Sequence, residues 1–285
     1  MKKRQASVTA QGIAFARALE SSKPGGERIC TDPLARRLIS PWFYWLSRLF
    51  AGYAERKGPG VLGFLAVRCR YIDDYLEACL RAGIEQLVIL GAGLDSRAYR
   101  IAGLKERIKL FEVDHPATQA VKCAKLTKLF GDLPAHVTYV PIDFDAETLE
   151  KLFDFGYSPQ SKTLFIWEGV VHYLTAEAVD QTLEFVQQHS GSGSSIIFDY
   201  VYTSALTAVH KRAEIVRMQR ARRYTGEGLV FGIKEGQVGA FLRARGYTRI
   251  QNVTSKDLER TYFTGVNQTR TVAPIYAIAH ATVGG

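Results

Sequence analysis

The sequence has few of the residues that staple a fold or span a membrane. Its 285 residues include only four cysteines, at positions 30, 69, 79 and 123. None belongs to a Cys-x-x-Cys pair, and none has a histidine at metal-ligand spacing. This argues against a disulfide scaffold and against a bound metal. The cysteines read as reduced thiols in a cytoplasmic protein. Long apolar runs are also missing. The most apolar early segment, Pro41 to Tyr53, is too short to cross a bilayer and carries Arg48. The opening Met-Lys-Lys-Arg is not followed by the apolar stretch of a signal peptide. No membrane partner is expected. There is no internal repeat or low-complexity tract, and Gly191-Ser-Gly-Ser-Ser is only a short loop.

Negative charge is in deficit. Lys and Arg total 37 against 28 Asp and Glu, giving a formal charge of +9. The basic residues are scattered, apart from a denser run from Lys211 to Arg223, which reads as a solvated helix face. Apolar residues make up 47% and charged residues 23%, ordinary values for a globular chain of this size. Such a chain buries a core without staples.

The first 82 residues read as helical. Ala14 to Glu20 and Pro33 to Ile39 carry apolar residues at helical spacing, separated by a Ser22-Lys-Pro-Gly-Gly loop. Asp32-Pro33 is a helix start, with Asp as cap and Pro in the first turn. Val67 to Ala82 forms a longer amphipathic helix ended by Gly83. From residue 86 short apolar strands alternate with helices. The strands begin at Gln86, Lys109, Val137, Thr163 and Ser195, with helices at 117–130, 147–153 and 176–189. A helix at 234–245 and two β-rich segments, 247–254 and 275–283, close the chain. This order predicts an α/β fold with a mostly parallel sheet and helices on both faces.

Each of the five strands ends in glycine or an acid: Gly91, Asp114, Asp143, Glu168 and Asp199. That edge is where open α/β sheets bind ligands. Gly91-Ala92-Gly93 follows the first strand, so the backbone can turn sharply and approach a ligand closely. The third glycine of a dinucleotide fingerprint is absent, and Ser96 stands in its place. Asp114 lies about 20 residues beyond the turn, where an acid accepts from ribose hydroxyls. Glu112, on the same strand face, reads as structural. Asp143 is placed to accept from an adenine amino group, with Phe144 near the ring and Asp145 as a helix cap. Glu168 could pair with an ammonium group, and if buried it needs either a ligand or an arginine. The set suits a nucleoside that carries an amino acid. A nicotinamide oxidoreductase shares the turn and Asp114 but has no use for the acids at 143 and 168.

On these residues the chain resembles the leucine carboxyl methyltransferase-like family, in its bacterial small-molecule O-methyltransferase branch. The matching stretches include Asp32-Pro-Leu-Ala, Val67-Arg-Cys-Arg-Tyr-Ile-Asp-Asp, Val88-Ile-Leu-Gly-Ala-Gly-Leu-Asp-Ser-Arg, Phe111-Glu-Val-Asp-His-Pro and Trp167-Glu-Gly-Val-Val-His-Tyr-Leu. The resemblance implies a class I, Rossmann-like methyltransferase with a seven-stranded sheet. It would comprise a helical cap over residues 1–82, a cofactor domain over 83–285 and a substrate-contacting insert at about 203–233. It implies S-adenosylmethionine as cofactor and a small-molecule acceptor, with a carboxylate as the methylated group. A phenol or a modified tRNA is the alternative acceptor, although no separate RNA-binding module is visible. Arg68 is expected to hold the cofactor carboxylate, Gly91, Ala92 and Gly93 to pass beneath its methionine part, Asp114 to bind the ribose, Asp143 and Phe144 the adenine, and Glu168 the amino group. Eukaryotic phosphatase methyltransferases have a lysine before Asp-Pro where this chain has Thr31, so a carboxylate contact could come instead from Arg17.

His172 and Tyr200 are the candidate catalytic residues, His172 as general base. Tyr173, Tyr202, Arg220 and Tyr224 are candidate acceptor contacts, with Arg222 and Arg223 beside them. Phe43, Tyr44 and Trp45 read either as a lid or as core packing. The sequence leaves the oligomeric state open.

Overall fold

A computed structural model describes residues 8–144, 146–206 and 229–284. Helices α1 (Val8–Ser21), α2 (Ala35–Leu38), α3 (Pro41–Lys57) and α4 (Val61–Arg81) precede strand β1 (Gln86–Leu90). Two short helices, α5 (Arg97–Arg100) and α6 (Leu104–Arg107), lead to β2 (Lys109–Asp114). Then come α7 (Pro116–Phe130), β3 (Val137–Pro141), a 3-10 helix at Leu149–Phe155 and β4 (Thr163–Trp167). They are followed by α8 (Ala176–Gln188), β5 (Ser195–Val201), α9 (Val238–Arg243), β6 (Tyr247–Thr254), α10 (Ser255–Tyr262) and β7 (Tyr276–Val283).

The seven strands form one sheet in the order β3-β2-β1-β4-β5-β7-β6. The first five are parallel, and β7 inserts antiparallel between β5 and β6. The order reverses between β1 and β4. A crevice therefore opens there at the carboxyl edge, because the loops after these strands leave in opposite directions.

Strand residues alternate between two cores, as the two-residue period requires. Val88, Leu90, Phe165 and Trp167 face α8, α9 and the 3-10 helix. Leu87, Ile89, Leu164 and Ile166 face Phe64, Val67, Ile72 and Leu76 of α4, together with Leu258 of α10. Helix α4 thus forms a covering layer of the sheet. A third cluster joins Ala14, Phe15 and Ala18 of α1 to Ala35, Ile39 and Tyr44.

The five parallel strands start where the sequence places them. Several helices differ. Helix α4 begins six residues before the expected Val67, because Gly63, which looks like a breaker in the sequence, is a contact point. A Cβ there would lie 2.0 Å from the Thr271 carbonyl oxygen. The 147–153 helix is instead a 3-10 helix at Leu149–Phe155, and the 234–245 helix shrinks to Val238–Arg243.

Gly63→Ala should therefore destabilise the fold by ~1–3 kcal/mol, the usual range for overpacking, in urea unfolding. Gly12→Ala is the control, since nothing lies within 4 Å of its Cβ position. It should leave stability unchanged or slightly raised, because alanine is the better helix former.

Candidate active site

A cavity of about 450 Å³ sits at the β1/β4 switch point. Its floor is the turn after β1. Gly91 and Gly93 have φ of 63° and 45°, a region that L side chains enter only with strain. A Cβ on Gly91 would also lie 2.5 Å from Val170 Cγ2. Asp114 closes the turn: its Oδ2 accepts from the Gly93 N–H and its Oδ1 from the His115 N–H at 2.7 Å. Burial pushes the Asp114 carboxyl above its ordinary range, against the pull of these two N–H groups. Beneath the turn, Lys122 Nζ lies 2.7 Å from Glu112 Oε2 and 3.5 Å from the Ala92 carbonyl oxygen. Both side chains are buried, and Glu112 does not line the cavity.

Behind the floor runs a chain of buried charges. Arg17 Nε donates to Asp32 Oδ2 at 2.8 Å, and Ser96 Oγ donates to the same oxygen at 2.6 Å. Arg100 lies 3.9 Å from Asp32 and 2.8 Å from Asp73. Arg97 Nε donates to Asp73 at 2.7 Å, and Arg97 Nη1 donates to both Asp95 and Glu168. Arg68 completes the row, with Nε on Glu168 at 3.0 Å and Nη1 on Asp199 at 2.6 Å. Asp199 Oδ1 accepts from the Gly169 N–H at 2.6 Å.

Isolated charges in such a setting would cost several kcal/mol each, so the row stands only as a connected set. Burial pushes the Glu168 carboxyl up, but Arg97 and Arg68 outweigh it and hold the group below its usual range. Asp95 is lowered in the same way, Arg97 and Arg17 outweighing its burial. The sequence reading missed the parts played by Arg97, Asp95, Asp73 and Arg100. One signal was available: Arg68 falls on the apolar stripe of α4, and a charge there must find a buried partner.

Gly91, Ala92, Gly93, Asp114, Asp143, Phe144 and Glu168 all line the cavity, as does Arg17. Asp143 Oδ2 lies 3.9 Å from His115 Nε2. Glu168 is answered by two arginines as well as facing the cavity. Arg68 does not itself line the wall. It lies behind Gly169, whose Cβ position is 3.5 Å from both of its Nη atoms. Its Nη2 is buried without a hydrogen-bond partner among the described residues.

Of the expected acceptor contacts, Tyr173 lines the cavity and Tyr202 does not. Tyr200 is fully buried, and its hydroxyl donates to Asn252 Oδ1 at 3.0 Å. His172 is buried off the cavity, its Nδ1 without a partner among the described residues. Burial pushes its pKa down to about 4, so the ring is neutral at pH 7. Its carbonyl accepts from the Val230 N–H at 2.8 Å, which ties the returning chain to the β4 loop. Arg220, Arg222, Arg223, Tyr224 and Asp145 lie outside the described residues. The aromatic stripe at 43–45 does not line the cavity. Tyr44 packs on Phe15 at a ring distance of 5.7 Å, and α1 supplies the wall through Thr9, Ala10, Ile13 and Arg17.

The fold and site define an α/β protein with a cavity at the switch point of its sheet, lined by a glycine turn and the acids at the strand ends. The sequence profile of the leucine carboxyl methyltransferase family matches residues 10–187, and the chain belongs to that family. Among its relatives is the Bacillus subtilis protein YktD, provisionally named an S-adenosyl-L-methionine-dependent methyltransferase. It is 28% identical over 92% of this chain and 93% of its own length. A Mycolicibacterium paratuberculosis protein with the same provisional name is 31% identical over 88% of this chain and 82% of its own. The fold is similar to a crystal structure from Thermobifida fusca, provisionally named a methyltransferase. The TM-score is 0.59 at 12% identity, over 98% of this chain and 95% of that one.

Arg97→Met would leave Asp73, Asp95 and Glu168 short of a cation. It should cost ~3–5 kcal/mol in urea unfolding, the range for breaking a buried pair, while Arg97→Lys should cost less. The pH dependence follows from the lowered carboxyl of Glu168. Its contribution is fully present above the ordinary value of 4.5 and is lost as pH falls below it. Acid unfolding of the wild type should therefore steepen below that pH, and steepen less in Glu168→Gln.

Proposed function

We propose that this chain transfers the methyl group of S-adenosylmethionine to a carboxylate oxygen of a small-molecule acceptor. As a member of its family it is an S-adenosylmethionine-dependent methyltransferase, and the residues of the cavity fit that cofactor. Arg68 Nη2, buried and unpartnered behind Gly169, is a donor suited to the cofactor's carboxylate. Arg17 lines the cavity and offers a second cation. Asp114, Asp143 and Phe144 line the cavity, which supports assigning the first to the ribose and the other two to the adenine. The row behind the floor holds five carboxylates (Asp32, Asp73, Asp95, Glu168, Asp199) against four guanidiniums (Arg17, Arg68, Arg97, Arg100). Its surplus negative charge favours a ligand that carries both an ammonium and a sulfonium.

When bound, the cofactor supplies an electrophilic methyl group, so the protein's task is positioning and exclusion of water. Thr9, Ala10 and Ile13 of α1, with Val170 and Leu174, form the less polar wall of the cavity. A carboxylate acceptor, with a reference pKa of about 4, is ionised at pH 7 and needs no base. The observation that favours this acceptor is the placement of the two candidate bases. His172 is buried off the cavity, where burial makes it a weak base, and Tyr200 is buried with its hydroxyl pushed well above the usual phenol range by burial. A phenolic acceptor, with a pKa of about 10, would call on such a group.

Isothermal titration with S-adenosylhomocysteine should show micromolar binding by the wild type and at least tenfold weaker binding by Asp114→Ala. An acceptor screen should then yield products that release methanol in mild alkali, as methyl esters do and aryl ethers do not. His172→Gln should keep kcat within a few-fold of wild type. A loss of about 100-fold, the typical contribution of a general base, would favour the phenol.

A further inference from the structure

Helix α3 presents an apolar face that the rest of the described chain leaves open. Trp42, Trp45, Leu46, Leu49, Phe50 and Tyr53 are between 46% and 78% exposed. Their spacing places all six on one side of the helix. The opposite side is anchored, with Tyr44 buried against Phe15 and the half-buried Phe43 and Ala51 packed on the same cluster. The exposed side is therefore a formed surface on a docked helix.

Its charges have one sign. Arg56 and Lys57 are exposed at the end of the stripe, and Lys57 Nζ lies 5.8 Å from the Tyr53 ring. The only acid of α3, Glu55, is turned away, its carboxylate accepting from the Gly60 N–H at 2.6 Å. A face of Trp, Tyr, Phe and Leu bordered by cations and free of acids suits the interface of an anionic bilayer. Indole and phenol rings settle at headgroup depth there, and lysine and arginine meet the lipid phosphates. A second copy of the chain fits less well, because it would bring an equally cationic border and a formal charge of +9.

We propose that α3 docks this protein, lying in the plane of the interface, onto a negatively charged lipid surface. Among the described residues no helix is long and apolar enough to cross a membrane, so the contact is peripheral. The proposal does not depend on the acceptor chemistry given above.

The protein carries its own probe. Of its three tryptophans, Trp42 and Trp45 are on this face and Trp167 is buried at 2% exposure. Full-length protein is mixed with vesicles of phosphatidylcholine alone or with 30% phosphatidylglycerol, with and without brominated acyl chains. The expected result is co-sedimentation with the anionic vesicles, a blue-shifted emission, quenching by the bromines, and at least tenfold weaker binding in high salt. The variant Trp45→Ser/Leu49→Ser, confirmed as folded by circular dichroism, should lose at least tenfold in vesicle affinity while still binding S-adenosylhomocysteine. Three results would overturn the proposal: no binding to anionic vesicles, equal binding by the variant, or a wild-type dimer in light scattering that the variant abolishes and vesicles do not compete for.

Discussion

A row of alternating buried charges, from Arg17 through Asp32, Arg100, Asp73, Arg97, Glu168 and Arg68 to Asp199, underlies the carboxyl edge of the sheet. Its members come from α1, the turn before α2, α4, α5, the end of β4 and β5. No member could be buried without its neighbours, so closing the row fixes where these elements sit relative to one another. The hydrogen bond from the Gly169 N–H to Asp199 extends that constraint into the loop after β4, and the bond from Ser96 to Asp32 extends it into the turn after β1. The cavity lies between those two loops. Its shape therefore depends on an electrostatic network as much as on packing.

The same row gives the cavity its chemical character. Its arginines pair with carboxylates, and Arg68 Nη2, just behind the wall, is buried without a hydrogen-bond partner among the described residues. On the other side of the Gly91–Gly93 turn, Asp114 spends its oxygens on backbone N–H groups while still facing the cavity. A second buried pair, Glu112 and Lys122, supports the turn from below. The result is a cavity with its charges held in place, and one that His172, Tyr200 and Tyr202 do not line. Preorganisation of this kind suits group transfer in which positioning does most of the work.

Much of the fold was legible from local pattern. The boundaries of β1, β2 and β6 follow from short apolar or β-rich runs, and the acids at the strand ends mark the ligand edge. The parts that were not legible depend on contacts distant in sequence. Gly63 looks like a helix breaker until Thr271 is found against it. Glu168 lines the cavity as expected of its position, but the two arginines that answer it, Arg68 and Arg97, come from 100 and 71 residues away. Arg97 stood in a recognised motif without an assigned role, because nothing local says that its guanidinium turns inward to join three acids. Tyr200 near the end of the last parallel strand and Tyr202 just after it occupy positions that suggest the site, yet both are buried in the core. The aromatic residues at the start of α3 divide by helical phase: Tyr44 packs inward and Trp45 points out.

The most direct test of this account is a crystal structure with S-adenosylhomocysteine bound. The account predicts the ligand in the cavity at the β1/β4 switch, its ribose hydroxyls on Asp114, its carboxylate within hydrogen-bond reach of Arg68 Nη2, and the charge row unchanged. A ligand held elsewhere would contradict it, as would a cavity in which Arg68 and Arg97 abandon Glu168 on binding.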